Sequence, residues 1–199
     1  MVSLSDLRRF KADGRKFSCL TCYDASMAKA MEIAEVDSIL IGDSLGMSIQ
    51  GRDSTLPVTV ADMAYHTAAV RRGNQHAFIM TDLPFMSYAT LNDALQSSKT
   101  VIQAGAQMVK MEGGAWLAET VQVLTRNGIP VCVHLGLTPQ SVHVFGGYKL
   151  QARTREAADQ LIADCKAVVE AGAALLLLEC VPAQLGQEIT ELFPQIPVI

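Results

Sequence analysis

The chain is 199 residues long, half of them hydrophobic, with 18% charged, 6% aromatic and a formal net charge of −4. This composition excludes a disordered polymer and describes one compact soluble domain. The slight acidic excess, with no basic run longer than Arg71-Arg72, leaves no electrostatic footprint for nucleic acid.

Mean hydropathy is +0.24, yet the most apolar stretch, Ala171 to Leu178, stops at Glu179, well short of the ~20 residues that cross a bilayer. The N-terminus has no apolar core followed by a small-residue cleavage site, so a cytoplasmic protein away from membranes is expected.

In chain order, the first element is a helix at about Leu4–Lys11, with Ser3 or Ser5 available as its cap and a place at the bottom of a barrel. Thereafter short β-rich runs alternate with stretches of helical period. The spacing predicts strand Phe17–Cys22, helix Ala25–Glu35, strand Ser38–Ile41, helix Val60–Arg72, strand Ala77–Thr81 and helix Leu91–Ala104. It continues with strand Met108–Met111, helix Ala115–Arg126, strand Pro130–Val133, helix Glu156–Ala171, strand Ala174–Leu178 and helix Ala183–Leu192, and Ile196–Ile199 opens a seventh strand. Several strands are continuously apolar, as in a parallel sheet covered on both faces. No linker or composition shift divides the chain, so residues 1–199 read as a single domain. Two connections are long, Gly42 to Thr59 and His134 to Arg155, and long connections after strands often carry function.

Five cysteines, Cys19, Cys22, Cys132, Cys165 and Cys180, lie in apolar segments and read as reduced, buried thiols. Cys19-x-x-Cys22 has the spacing of half a zinc site, but no second Cys/His pair answers it. Gly113-Gly114 and Gly146-Gly147 permit close backbone approach to a ligand without forming a nucleotide-binding fingerprint. His66 and His76 read as surface or packing residues, and the methionines as core filler.

The strands end in polar groups: Tyr23-Asp24, Asp43-Ser44, Asp82, Lys110 with Glu112, His134 and Glu179. In a closed parallel barrel these carboxyl ends converge on the face where active sites are built. Any one alone reads as a strand leaving the core; the set brings like charges together and calls for a cation or substrate to balance them. Asp43 and Asp82 offer hard oxygen ligands without a matching cluster of His or Cys, which favours Mg²⁺ over zinc. Glu112 is either a third ligand or an acceptor orienting a metal-bound water. Lys110 and Glu112, two apart, share a face of an undistorted strand. Glu179 follows four leucines, where desolvation can raise a carboxylate toward the range of a general base; the alternative is an ordinary exposed strand end. His134 either donates to a substrate oxygen or is a satisfied core imidazole.

The loops carry a resemblance. Ile41-Gly-Asp-Ser-Leu-Gly-Met47, Asp53-Ser-Thr-Leu-Pro-Val-Thr-Val-Ala-Asp62, Ala64-Tyr-His-Thr-Ala-Ala-Val-Arg-Arg72, Asp82-Leu-Pro-Phe-Met86, Val109-Lys-Met-Glu-Gly-Gly114, His134-Leu-Gly-Leu-Thr-Pro-Gln-Ser141, Phe145-Gly-Gly-Tyr148 and Leu178-Glu-Cys-Val-Pro182 together closely resemble the ketopantoate hydroxymethyltransferase family of pantothenate biosynthesis. The resemblance implies a (β/α)₈ TIM barrel of the phosphoenolpyruvate/pyruvate superfamily. It implies Mg²⁺, methylenetetrahydrofolate as co-substrate, hydroxymethylation of 3-methyl-2-oxobutanoate, and a homo-oligomer, commonly a decamer. By matching motif, Asp43 and Asp82 resemble the metal ligands, with Glu112 beside them. Asp43, Ser44, Asp82, Lys110 and His134 resemble the substrate-binding set, and Glu179 the catalytic base.

The family pattern continues past Pro197-Val-Ile199 into a further strand and helices, so the expected fold is this barrel with its C-terminal strands missing from the chain. Two alternatives accompany the enzyme reading: a catalytically impaired truncated subunit of the same family, and another Mg²⁺-dependent 2-oxo acid lyase or mutase of the superfamily. A lyase or mutase acting on a second anionic group would want more basic strand ends than Lys110.

Overall fold

In the computed structural model, which describes all 199 residues, strands and helices alternate along the chain and every pairing between strands is parallel. Strand order follows chain order, β1 to β6. By internal packing the chain divides into two units, Met1–Lys110 and Met111–Ile199.

The first unit opens with α1 (Leu4–Ala12), fixed by its own side chains: the Ser3 hydroxyl accepts the Asp6 N–H, and the Asp6 carboxylate accepts the Ser3 N–H. Leu7 and Phe10, three apart, form its buried stripe. The Val2 N–H donates to the His76 carbonyl just before β3, so this segment lies at the amino ends of the strands, as expected of a helix beneath a barrel. β1 (Cys19–Thr21) leads to α2 (Ala25–Ile33), whose N-cap is Asp24, and then to β2 (Ser38–Ile41). The long connection after β2 holds a single helical turn, α3 (Leu45–Ser48), which hydrophobic period does not announce. α4 (Val60–Gly73) starts on a Thr59/Asp62 capping box, β3 is Phe78–Asp82, and α5 (Leu91–Gln103) is capped by Thr90. β4 (Met108–Glu112) straddles the division between the units. Within the first unit β1 pairs with β2, β2 with β3 and β3 with β4, Met80 standing opposite Met108 and Asp82 opposite Lys110.

The second unit continues with a 3₁₀ turn (Ala115–Leu117), α6 (Ala118–Arg126) and β5 (Val131–Gly136). After a 3₁₀ turn at Pro139–Ser141 come α7 (Val142–Phe145), α8 (Arg155–Glu170), β6 (Leu175–Glu179) and α9 (Ala183–Leu192). The seventh strand expected over Ile196–Ile199 is present as one parallel bridge, Leu176 to Val198, with the Ile199 N–H donating to the Leu176 carbonyl at 2.9 Å.

β3 and β4 are buried along their whole length, which explains why their sequences run apolar rather than alternating. Ile39, Ile41, Ile79, Met80, Met108 and Val109 fill the core of the first unit, and Val131, Val133, Leu175, Leu124 and Val168 that of the second. Each such side chain is worth about 1.5–3 kcal/mol of burial. Apart from β2, the strand boundaries shift by one to three residues from the expected ones, most at the carboxyl end of β5. β3, β4 and β6 include Asp82, Glu112 and Glu179, and β5 runs through His134 to Gly136, so these polar residues sit in the strands rather than after them. All five cysteines are free thiols. Burial pushes the Cys165 thiol up to about 12, keeping it neutral and inert. Cys180 departs from expectation: it is exposed, because the chain reverses there in a left-handed conformation (φ 49°) directly after β6.

Candidate active site

Each unit holds one cluster of the polar strand-end residues. In the first unit Asp82, on the last position of β3, is buried and makes an ion pair with the equally buried Lys110 of β4, Nζ to Oδ1 at 2.6 Å. The pairing register, Asp82 opposite Lys110, is what brings them together. The other carboxylate oxygen of Asp82 accepts the backbone N–H of Asp43 at 3.0 Å, tying the loop after β2 to the end of β3. Ser44 Oγ lies 2.8 Å from the Tyr23 hydroxyl, and the Tyr23 carbonyl lies 2.7 Å from His66 Nδ1. Gly42 keeps this corner open: a Cβ there would lie 2.9 Å from Ser44 Oγ and 3.5 Å from Asp82 Oδ2.

This donor set fits a divalent cation. Two buried carboxylates against one ammonium leave an excess of negative charge, and a carboxylate already bonded at both oxygens retains lone pairs for a metal. Mg²⁺ takes one or two carboxylates and completes its shell with water and substrate. No group of three or more His, Cys, Asp or Glu side chains is arranged to hold a metal ion by protein ligands alone.

In the second unit the His134 imidazole stands between two carboxylates. Its Nδ1 is 3.4 Å from Glu112 Oε1, and its Nε2 is 3.2 Å from Glu179 Oε2. Glu112, buried at the end of β4, also accepts the Gln140 N–H at 2.9 Å, which clamps the carboxylate against the 3₁₀ turn after β5. Glu179 is different from the buried residue expected of an apolar strand: its side chain is 39% exposed. The reason is local, since the last three residues of β6 are only partly covered. Its backbone is nevertheless held firmly, the Glu179 carbonyl accepting the Leu137 N–H at 2.8 Å and the Cys180 carbonyl accepting the Gln151 N–H at 2.7 Å. Gly136, with φ +85°, passes so close that a Cβ would lie 2.3 Å from the Glu179 carbonyl oxygen.

Several assignments change. Asp24 caps α2 through the Met27 N–H rather than serving a site. His66, read as a surface or packing residue, contacts the Tyr23 that bonds Ser44. Gly42, Tyr23 and the Gln140 backbone are supporting elements that the sequence reading did not assign. Tyr23 was visible as a polar strand end, whereas a backbone N–H clamp such as that of Gln140 leaves no signature in residue type.

Carboxylates, an ammonium and an imidazole on the carboxyl ends of parallel strands, each strand followed by a helix, define an α/β enzyme of the (β/α)-barrel class. Solved enzyme structures share this fold. A 2,3-dimethylmalate lyase superposes with a TM-score of 0.72 at 16% identity, covering all of this chain and 71% of that one. A phosphonopyruvate hydrolase solved with oxalate and Mg²⁺ superposes with a TM-score of 0.71 at 13% identity, covering all of this chain and 79% of that one.

The family model for ketopantoate hydroxymethyltransferase matches residues 1–199, and the chain belongs to that family of transferases. It is 89% identical over 199 residues to a 3-methyl-2-oxobutanoate hydroxymethyltransferase of Acinetobacter baumannii (strain AYE), covering all of this chain and 74% of the relative. It is 61% identical to the enzyme of the same description in Psychrobacter sp. (strain PRwf-1), covering 73% of that relative. No helix is long and apolar enough to cross a membrane.

Proposed function

We propose that the chain transfers a hydroxymethyl group from methylenetetrahydrofolate to C3 of 3-methyl-2-oxobutanoate, giving 2-dehydropantoate for pantothenate and coenzyme A synthesis. In this reading residues 1–199 act as one catalytic domain, in the cytoplasm, within a homo-oligomer. Asp43 and Asp82 would hold Mg²⁺, and Glu112 would serve as a further ligand or an acceptor. When bound, the metal withdraws charge from the carboxylate and keto oxygens of the 2-oxo acid and so acidifies the C3 proton.

The remaining work belongs to side chains. Lys110 and Ser44 take the negative oxygens of the acid, Ser44 being oriented by Tyr23. Glu179 removes the C3 proton, and the His134 Nε2 that faces Glu179 turns its donor to the substrate when the acid binds. The C3 carbon then forms its bond to the one-carbon unit, water supplies the hydroxyl oxygen, and tetrahydrofolate leaves. Partial exposure suits Glu179 to a base that must meet a substrate entering from solvent.

The observation that carries this reading is the buried Asp82 carboxylate, which pairs with the Lys110 ammonium and accepts the backbone N–H of the buried Asp43, beside an open corner at Gly42. Membership of the family over the full length of the chain supports it. The test is turnover of the 199-residue chain with both substrates and Mg²⁺, together with calorimetry of Mg²⁺ binding. Asp43→Asn is expected to weaken Mg²⁺ binding at least tenfold and to abolish product. Unchanged affinity would remove Asp43 as a ligand, and a chain that binds Mg²⁺ without forming product would be the non-catalytic member of the family.

A further inference from the structure

The second unit contains a cavity of about 470 Å³, within the range of small-molecule sites, which shares Glu112, Gly136 and Gln151 with the groups above. It opens from the carboxyl ends of β4 and β5 and is walled on its far side by the first turns of α8. No Lys or Arg lines it, and its two ionisable side chains, Glu112 and Asp164, are both acidic. Such a lining disfavours a phosphate, a nucleotide or a second molecule of the anionic 2-oxo acid.

What the lining does offer is an aromatic face and a carboxylate acceptor. Trp116, the chain's one tryptophan, is 65% exposed and packs against Gly113, where a Cβ would come within 2.6–2.7 Å of the indole. Phe145 supplies a second ring on the lining. Asp164 receives the Ala115 N–H at 3.0 Å and the Gln160 side-chain N–H at 3.2 Å, both on Oδ1. That arrangement fixes the carboxylate and leaves Oδ2 for a ligand. Gly114 gives it room, since a Cβ there would lie 2.8 Å from Oδ2. A flat ring matches the tryptophan, and N–H donors along one ring edge match a carboxylate with no competing cation.

We infer that this cavity seats the ring system of the one-carbon donor, a reduced pterin. Its aminopyrimidine N–H edge meets Asp164, its face lies on Trp116, and its anionic tail is directed to solvent. The inference rests on the donor named under the proposed function and adds the place where that donor's ring is held.

Because Trp116 is the sole indole, its fluorescence reports the cavity directly. Titration with tetrahydrofolate is expected to give saturable quenching, and 6-methyltetrahydropterin, the ring without the tail, the same quenching. Asp164→Asn keeps an oxygen for Ala115 but removes the charge, and is expected to raise Kd about tenfold, a loss of ~1.4 kcal/mol. Ala157→Phe, at an exposed position on the cavity wall, fills the space and abolishes quenching. Asp159→Asn, ion-paired to Arg155 on the same helix and outside the cavity, leaves Kd unchanged.

Absence of quenching by the ring, or equal affinity in Asp164→Asn and Ala157→Phe, would overturn the inference. Deuterium exchange at C3 of 3-methyl-2-oxobutanoate, run without folate, reads the proposed function separately. Exchange without pterin binding overturns the cavity assignment alone. Pterin binding without exchange overturns the functional reading and leaves the cavity assigned.

Discussion

The two clusters use similar residue types in opposite ways. In the first unit Asp82 and Lys110 are both nearly sealed from water and each supplies the other's charge partner. In the second, His134 is buried but one of its two carboxylate neighbours, Glu179, reaches solvent. The first arrangement cannot lose a member without stranding a charge, whereas the second can lose Glu179 with little cost to the fold. Under the proposed function, structure and chemistry are thus carried by one set of residues in the first unit and separated in the second.

The largest expected effect tests the closed cluster. Lys110→Met leaves Asp82 as a buried charge without its ammonium and is expected to cost about 3–5 kcal/mol, read from the urea midpoint. A loss below about 1 kcal/mol would mean that water reaches the pair and that the contrast with the second unit is false. Glu179→Gln is the matching probe of the open cluster. Turnover is expected to fall by ~10²–10⁴ while stability stays within about 0.5 kcal/mol of wild type. A large loss of stability in this variant would place Glu179 in the fold rather than in the chemistry.

Gly136→Ala sharpens the contrast from the backbone side. The added Cβ meets the Glu179 carbonyl and the φ of +85° is strained for alanine, so a stability loss of about 1–3 kcal/mol is expected. Turnover should fall more than Mg²⁺ affinity, because the displaced residue is the proposed base and not a proposed ligand. Equal losses in both would argue against a role confined to Glu179. The smallest effect is expected at Tyr23→Phe, which removes one partly buried hydrogen bond to Ser44, about 0.5–1.5 kcal/mol. KM for the 2-oxo acid should rise with kcat nearly unchanged.

The β/α alternation was legible because its strands are short continuous apolar runs between helical periods ended by Gly105, Gly128 and Gly172. Ser38–Ile41 and Ala183–Leu192 have the same ends in the sequence and in the structure. What period could not supply were the single turns Leu45–Ser48 and Val142–Phe145, which bury too little apolar surface to leave a stripe. Ionisable residues at the strand ends were legible as a group, since each interrupts an apolar run. Their pairing was not, because the Asp82–Lys110 contact depends on the register between β3 and β4 and the clamp on Glu112 depends on a backbone N–H. The burial expected for Glu179 failed for a related reason. Four leucines in succession describe the strand but not how much of its last turn is covered.

The central claim is that the chain removes the C3 proton of a 2-oxo acid and needs both Asp82 and Glu179 to do so. Proton NMR of 3-methyl-2-oxobutanoate in deuterated buffer with the enzyme and Mg²⁺, without folate, tests it most directly. Loss of the C3 proton signal in the wild type, with exchange slowed at least a hundredfold in both Asp82→Asn and Glu179→Gln, is the predicted result. Exchange at the wild-type rate in either variant would contradict the account.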